Sequence, residues 1–181
     1  MNIEFKELKE ENIDKLIPIM KAAFDYDTKI HLDKECGGPS GYDDGTFLRR
    51  WALDENTTSL CIYENNNLIG AVILWINSNN ENYLGNIFID INYENKGIGT
   101  RVWNLIEKLY PDTKIWNTET PIFSRRNHNF YVNKCGFSII KIENPKDINE
   151  GSYILQKVIN IYIKDSKTIR NKKYERISKD L

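Results

Sequence analysis

The sequence predicts an α/β protein of the α+β kind built on a mixed sheet, and three stretches carry that prediction. The apolar runs 59–63 and 68–76 are joined by Glu64-Asn65-Asn66-Asn67, a link rich in side chains that tolerate positive φ, which marks a hairpin. A third strand over 83–91 runs into a glycine-bearing turn at 92–98, and a helix over 99–109 follows. Beyond that helix, 114–118 reads as a strand parallel to 83–91 through a right-handed crossover. Antiparallel pairing therefore precedes one parallel pair, which excludes a doubly wound sheet.

The remaining elements fall into place in order. Residues 3–8 alternate as a first strand. Glu10, Glu11 and Asn12 open an amphipathic helix through about Phe24, with Ile13, Leu16, Ile17, Met20 and Phe24 at helical spacing and Pro18 as a site for a kink. The stretch 33–45 is dense in turn formers, Gly37-Gly38-Pro39-Ser40-Gly41 among them, and leads into a helix over 45–53 whose apolar face is Phe47, Leu48, Trp51 and Ala52. It reads either as a surface turn or as a mobile lid whose Tyr42, Asp43 and Asp44 meet a substrate. After the second strand of the parallel pair, closed by Pro121, a short helix over 125–134 ends at Cys135-Gly136 with Gly136 as a left-handed cap. Residues 137–142 and 153–159 form a closing antiparallel pair.

A chain of 181 residues and 21.3 kDa suits one core, so residues 1–159 are expected to form a single domain. The stretch 160–181 carries seven Lys or Arg against three Asp or Glu and reads as a solvated basic extension or a docking tail. A net charge of −1 argues against nucleic acid as a partner, since phosphate contacts need a basic face. No apolar run is long enough for a membrane helix, and the first residues lack signal-peptide character, so a cytoplasmic location is expected. Cys36, Cys61 and Cys135 are odd in number and widely spaced, which supports free thiols over a disulfide framework or a zinc site, and no metal is expected.

Chemistry concentrates in two stretches. Glu94-Asn95-Lys96-Gly97-Ile98-Gly99-Thr100 lies where a strand gives way to a helix, so backbone N–H groups converge at the positive end of a helix dipole and suit a phosphorylated ligand. It lacks both the three-glycine dinucleotide fingerprint and the Gly-Lys-Ser/Thr of a triphosphate loop. The second stretch is Asn127-His128-Asn129-Phe130-Tyr131, followed by Lys134-Cys135-Gly136-Phe137, with Trp116, Thr120 and Pro121 upstream.

Together these motifs resemble the GNAT superfamily of acyl-CoA-dependent N-acetyltransferases, over residues 3–159 and in the expected order of elements. The resemblance implies a GNAT-like sheet of about seven strands, mostly antiparallel, flanked by helices, with its parallel central pair splayed at a β-bulge near Phe88, Ile89 and Asp90. It implies acetyl-CoA as co-substrate, its pyrophosphate over Asn95, Lys96, Gly97, Ile98, Gly99 and Thr100, and its pantetheine along Phe88, Ile89, Asp90 and Ile91. Asn127 would contact the coenzyme, and Tyr131 would protonate the departing thiolate. Glu94 stands where the family carries Gln or Arg, so the backbone must do most of the holding. Gly85 aligns with a strand Glu that serves some members as base, which leaves Glu119, Asp90 or a water held by carbonyls. His128 reads as a surface residue and His31 as a loop histidine without a partner.

The activity implied is direct transfer of an acetyl group to a primary amine in a ternary complex, the acceptor being a small molecule or a peptide. A homodimer is compatible with the family. The alternative is a non-catalytic acyl-CoA sensor or interaction module on the same fold.

Overall fold

The computed structural model describes residues 2–93 and 96–159. The expectations for Glu94, Asn95 and the basic stretch 160–181 lie outside the described residues.

Strand β1 (Ile3–Glu7) leads into helix α1 (Glu10–Leu32), whose start is fixed by Asn12 Oδ1 accepting from the Lys9 N–H at 2.8 Å. Helix α1 turns Ile13, Leu16, Met20 and Ala23 onto the sheet. It runs eight residues past its expected end at Phe24, with Pro18 inside it, because the buried stripe continues through polar residues, Asp27 and Thr28. Helix α2 (Thr46–Trp51) is shorter than predicted. Strands β2 (Thr58–Glu64) and β3 (Asn67–Trp75) form the anticipated hairpin, and Asn65 and Asn66 both take positive φ, 49° and 68°.

Strand β4 (Glu81–Ile89) and strand β5 (Ile115–Pro121) flank helix α3 (Ile98–Leu109), and the chain closes with α4 (Arg125–His128), a π-helical turn (Asn129–Lys134), β6 (Ser138–Glu143) and β7 (Ser152–Val158). Among the described residues the strands form one seven-stranded sheet in the order β1-β2-β3-β4-β5-β7-β6, in which only β4 and β5 run parallel. Alternate residues of β3 serve opposite faces: Ala71 and Ile73 pack under α1 and α2, whereas Val72 and Leu74 join Val102, Trp103 and Ile106 of α3.

The parallel pairing stops early. β4 and β5 are in register from Glu81↔Ile115 to Leu84↔Thr118, after which β4 is paired with β3 alone and β5 with β7 alone. The bulge that starts this splay is at Gly85, not at Phe88–Asp90. Leu74 faces Leu84 and Ile73 faces Asn86, so Gly85 is the extra residue. Glycine is required by a close approach, since a Cβ there would stand 2.0 Å from Trp75 Cζ3, and Trp75 is itself wedged between Trp51 and Tyr83 at 6.1 and 6.0 Å between centroids. Gly85→Ala is expected to destabilise the domain by about 2 kcal/mol through overpacking. A denaturant midpoint unchanged from wild type would show that Trp75 yields freely.

Candidate functional site

The splay opens a cleft of about 380 Å³ between the diverging strands. Ile87, Phe88 and Ile89 of β4 form one wall, and Asn127, Phe130 and Tyr131 form the other. Gly97, Ile98, Gly99 and Thr100 close one end, and Ala23, Phe24 and Asp27 of α1 line it from the opposite face of the sheet.

The described part of the turn between β4 and α3 is held by local hydrogen bonds. Asp90 Oδ1 accepts from the Asn92 N–H and Nδ2, each at 2.9 Å, and so caps a 3₁₀ turn, Ile91–Tyr93. Gly97 then takes φ 71° and its carbonyl accepts the first bond of α3, from the Arg101 N–H at 3.1 Å. The N–H groups of Ile98, Gly99 and Thr100 lie in the opening turn of the helix, where no earlier helical carbonyl can receive them. Lys96 reaches back to the Asn92 carbonyl at 2.9 Å and over the Tyr93 ring.

Tyr131 stands at the apex of the splay. The π-helical turn, with the Cys135 N–H reaching the Phe130 carbonyl at 3.0 Å, turns it inward between Phe130 and Phe137. Its phenol is buried and interacts with Thr118, whose own hydroxyl donates to the Leu84 carbonyl at 2.8 Å, at the last paired position of β4 and β5. Burial drives the phenol pKa far above its ordinary value, against a smaller opposing pull from Thr118, so the group is neutral and remains a donor.

The structure therefore brings Phe88, Ile89, Gly97, Ile98, Gly99, Thr100, Asn127 and Tyr131 to one cleft. Asp90, Ile91 and Lys96 sit beside it without lining it, and the Asp90 carboxylate is engaged in the cap just described. Glu119 is exposed on β5, between the buried Thr118 and Thr120, and is near enough to Tyr83 to add to the rise that burial imposes on that phenol.

Tyr42, Asp43 and Asp44 are not at the cleft. Tyr42 is buried and donates to Asp25 Oδ1, which also accepts from the Gly37 N–H at 3.2 Å. Burial first, and then that bond, raise the Tyr42 pKa. Asp43 is exposed, and Asp44 accepts from the Thr46 N–H at 2.8 Å at the start of α2. The loop is pinned further by Thr28 Oγ1 donating to the Gly37 carbonyl.

Both histidines are better held than their sequence context suggested. His128 is half-buried, with Nε2 donating to the Pro121 carbonyl at 3.0 Å and its ring edge-on to Tyr153. His31 is on the last turn of α1, not in a loop, and its partner is Asp27. Sequence reasoning missed Asp27 because the apolar pattern of α1 ends before it. The available signal was that Ile13, Leu16, Met20, Ala23, Asp27 and His31 continue one helical stripe. Arg126, at the start of α4, lines the cleft with Asp27.

Burial pushes the Cys61 thiol up to about 11 and the Cys135 thiol up to about 12, so neither is a thiolate nucleophile near neutral pH. Among the described residues no group of His, Cys, Asp and Glu could hold a metal ion, and no helix is long and apolar enough to cross a membrane.

The cleft suits a coenzyme of acyl transfer: an unpaired edge of β4 for an extended amide-bearing arm, and a helix N-terminus for phosphate. Comparison with known proteins points the same way. Residues 20–137 match the family described as acetyltransferase (GNAT). Among curated proteins, the uncharacterized YrkN of Bacillus subtilis is 42% identical over 88 residues, 49% of this chain and 48% of YrkN, so the match spans about half of that relative. Among solved structures, the PaiA N-acetyltransferase of Thermoplasma acidophilum in complex with coenzyme A aligns with a TM-score of 0.70 at 17% identity, over 88% of this chain and 100% of that one. The ribosomal-protein-S18-alanine N-acetyltransferase of Escherichia coli aligns with a TM-score of 0.66 at 16% identity, over 90% and 100%. At these identities the two structures attest a shared fold.

Proposed function

Since the chain belongs to the acetyltransferase (GNAT) family, we propose that it transfers an acetyl group from acetyl-CoA to a primary amine by direct attack within a ternary complex. The observation that carries the reading is the cleft at the splayed parallel pair, with a neutral, buried tyrosine at its apex and a helix N-terminus at its end. Backbone N–H groups of Ile98, Gly99 and Thr100 take the pyrophosphate. The β4 edge at Phe88 and Ile89 pairs with the pantetheine arm. A backbone N–H near Ile89 stabilises the developing oxyanion. Tyr131 donates to the departing sulfur, and the proton lost by the attacking nitrogen balances the one that ends on the thiol.

Thiol release from acetyl-CoA against a panel of amines tests this. A binding module would take up coenzyme A and release no thiol with any acceptor.

Glu119 is the proposed base. A lysine-type amine, with a reference pKa of about 10.4, costs about 4 to 5 kcal/mol to deprotonate at neutral pH, whereas an α-amine near about 7.8 costs about 1. Glu119→Gln is accordingly expected to lower kcat/KM about 10- to 100-fold for lysine-type acceptors and much less for α-amines. Equal rates in the two proteins would pass the role to water.

A further inference from the structure

Helix α1 buries a stripe that is apolar through Ala23 and then places Asp27 in the same register. Only 9% of Asp27 is exposed, on a helix face that elsewhere carries Ile, Leu, Met and Ala. A carboxylate at such a position costs stability that an apolar residue of similar size would not.

The surroundings of Asp27 repay that cost only in part, through ion-pair contacts with His31 and Arg126. Asp27 Oδ1 is sealed from solvent and, among the described residues, accepts no hydrogen bond. His31 Nδ1 lies 3.2 Å from Oδ1, but its proton is directed to the Asp27 carbonyl at 2.8 Å, and a carbonyl can only accept. That bond fixes the tautomer of His31 and holds the ring against the carboxylate without satisfying it. Arg126 Nε stands 3.9 Å from the same oxygen, within electrostatic reach and beyond hydrogen-bond length.

Asp27 lines the cleft although its Oδ1 is sealed from solvent. The location matters as much as the charge. Gly97 to Thr100 and Tyr131 belong to the α3 side of the sheet, whereas Ala23, Asp27 and Phe88 belong to the α1 side. A ligand in contact with Asp27 thus enters from the face opposite the phosphate turn. We propose that Asp27 is the acceptor-binding carboxylate of this cleft, that it holds a cationic nitrogen of an alkylammonium acceptor, and that His31 is its positioning residue. The inference rests on the acetyl-transfer reading and adds to it the acceptor's charge and side of entry.

The full chain is assayed with tyramine and spermidine as cationic probes and aniline as an amine neutral at pH 7.5, alongside calorimetric binding of coenzyme A. Asp27→Asn keeps the shape and removes the charge. It is expected to raise KM for tyramine and spermidine about 30-fold, the typical loss on breaking a desolvated charge contact, with aniline turnover and coenzyme affinity changed by less than about threefold. His31→Gln is expected to raise KM about fivefold for the cationic probes alone, since it disturbs the carboxylate's orientation and not its charge. Equal losses for charged and neutral amines, or weakened coenzyme binding, would overturn the proposal and leave Asp27 a structural counter-ion or a coenzyme contact.

If the wild type releases no thiol with any probe, the acetyl-transfer reading falls. The inference is then decided by calorimetry on the coenzyme-loaded protein. Binding of tyramine or spermidine that Asp27→Asn abolishes sustains it, and absent or unchanged binding overturns it. Should Asp27→Asn fail to fold, Asp27→Ser enters the same measurements.

Discussion

Replacing Gly97 and Gly99 together by Val is expected to weaken coenzyme A binding by more than about 100-fold, or about 2.7 kcal/mol, measured by calorimetry. The two positions contribute by different routes. Among the described residues nothing lies within 4 Å of a Cβ built on Gly97; the obstacle there is its φ of 71°, because a β-branched residue in the left-handed region costs about 1 to 2 kcal/mol. The chain would relieve that strain by turning the peptide and withdrawing N–H groups from the start of α3. Gly99 is constrained by a neighbour: its Cβ would meet Phe130 Cε2 at 3.0 Å, and a valine branch would push that ring into the cleft. Gly97 is exposed and the turn bears little of the core, so the thermal midpoint should change far less than affinity. Retained affinity would mean that phosphate is held elsewhere.

The order of elements and the mixed pairing were legible in the sequence because alternation, Asn-rich turns and glycine stops are local signals. The Asn65-Asn66 turn and the strand-to-helix step at Gly97 are cases in point. The bulge was displaced because its cause is not local. Gly85 is set by the ring of Trp75 on the neighbouring strand, a contact that no pattern within β4 reveals. The 33–45 loop stayed open between a surface turn and a lid because turn formers do not say what holds them, and it is Asp25 and Thr28 of α1 that tie its Gly37 and Tyr42 in place. Asp27 escaped for the opposite reason. A helix stripe that turns polar looks like the end of the helix, although its burial continues through Asp27 and Thr28. The tyrosine at 131 was found through its Asn-x-x-Phe-Tyr context, while the π-helical turn that aims it could not be read from residue types.

Tyr131→Phe is expected to lower turnover about 100-fold while changing coenzyme A affinity by less than about threefold. The ring would stay, wedged between Phe130 and Phe137, so packing is preserved and only the hydroxyl is lost. The raised pKa of the phenol shapes what that hydroxyl can contribute. Complete transfer of its proton to a thiolate of ordinary pKa, about 8.5, would be uphill by at least about 2 kcal/mol at 1.36 per unit. The hydroxyl therefore acts through a hydrogen bond that strengthens as charge grows on sulfur, with proton balance restored from the attacking nitrogen. One consequence is visible in pH dependence. A phenol whose folded pKa lies above its unfolded value of about 10 stays neutral while the acceptor amine deprotonates, so turnover should rise with pH to a plateau and show no descending limb from Tyr131 below about pH 10. Stability carries the complementary sign. Above about pH 10 the unfolded chain loses this proton before the folded one does, so the contribution of Tyr131 to stability falls as pH rises. Unchanged turnover in Tyr131→Phe would remove the hydroxyl from the reaction and leave the apex of the splay to the backbone alone.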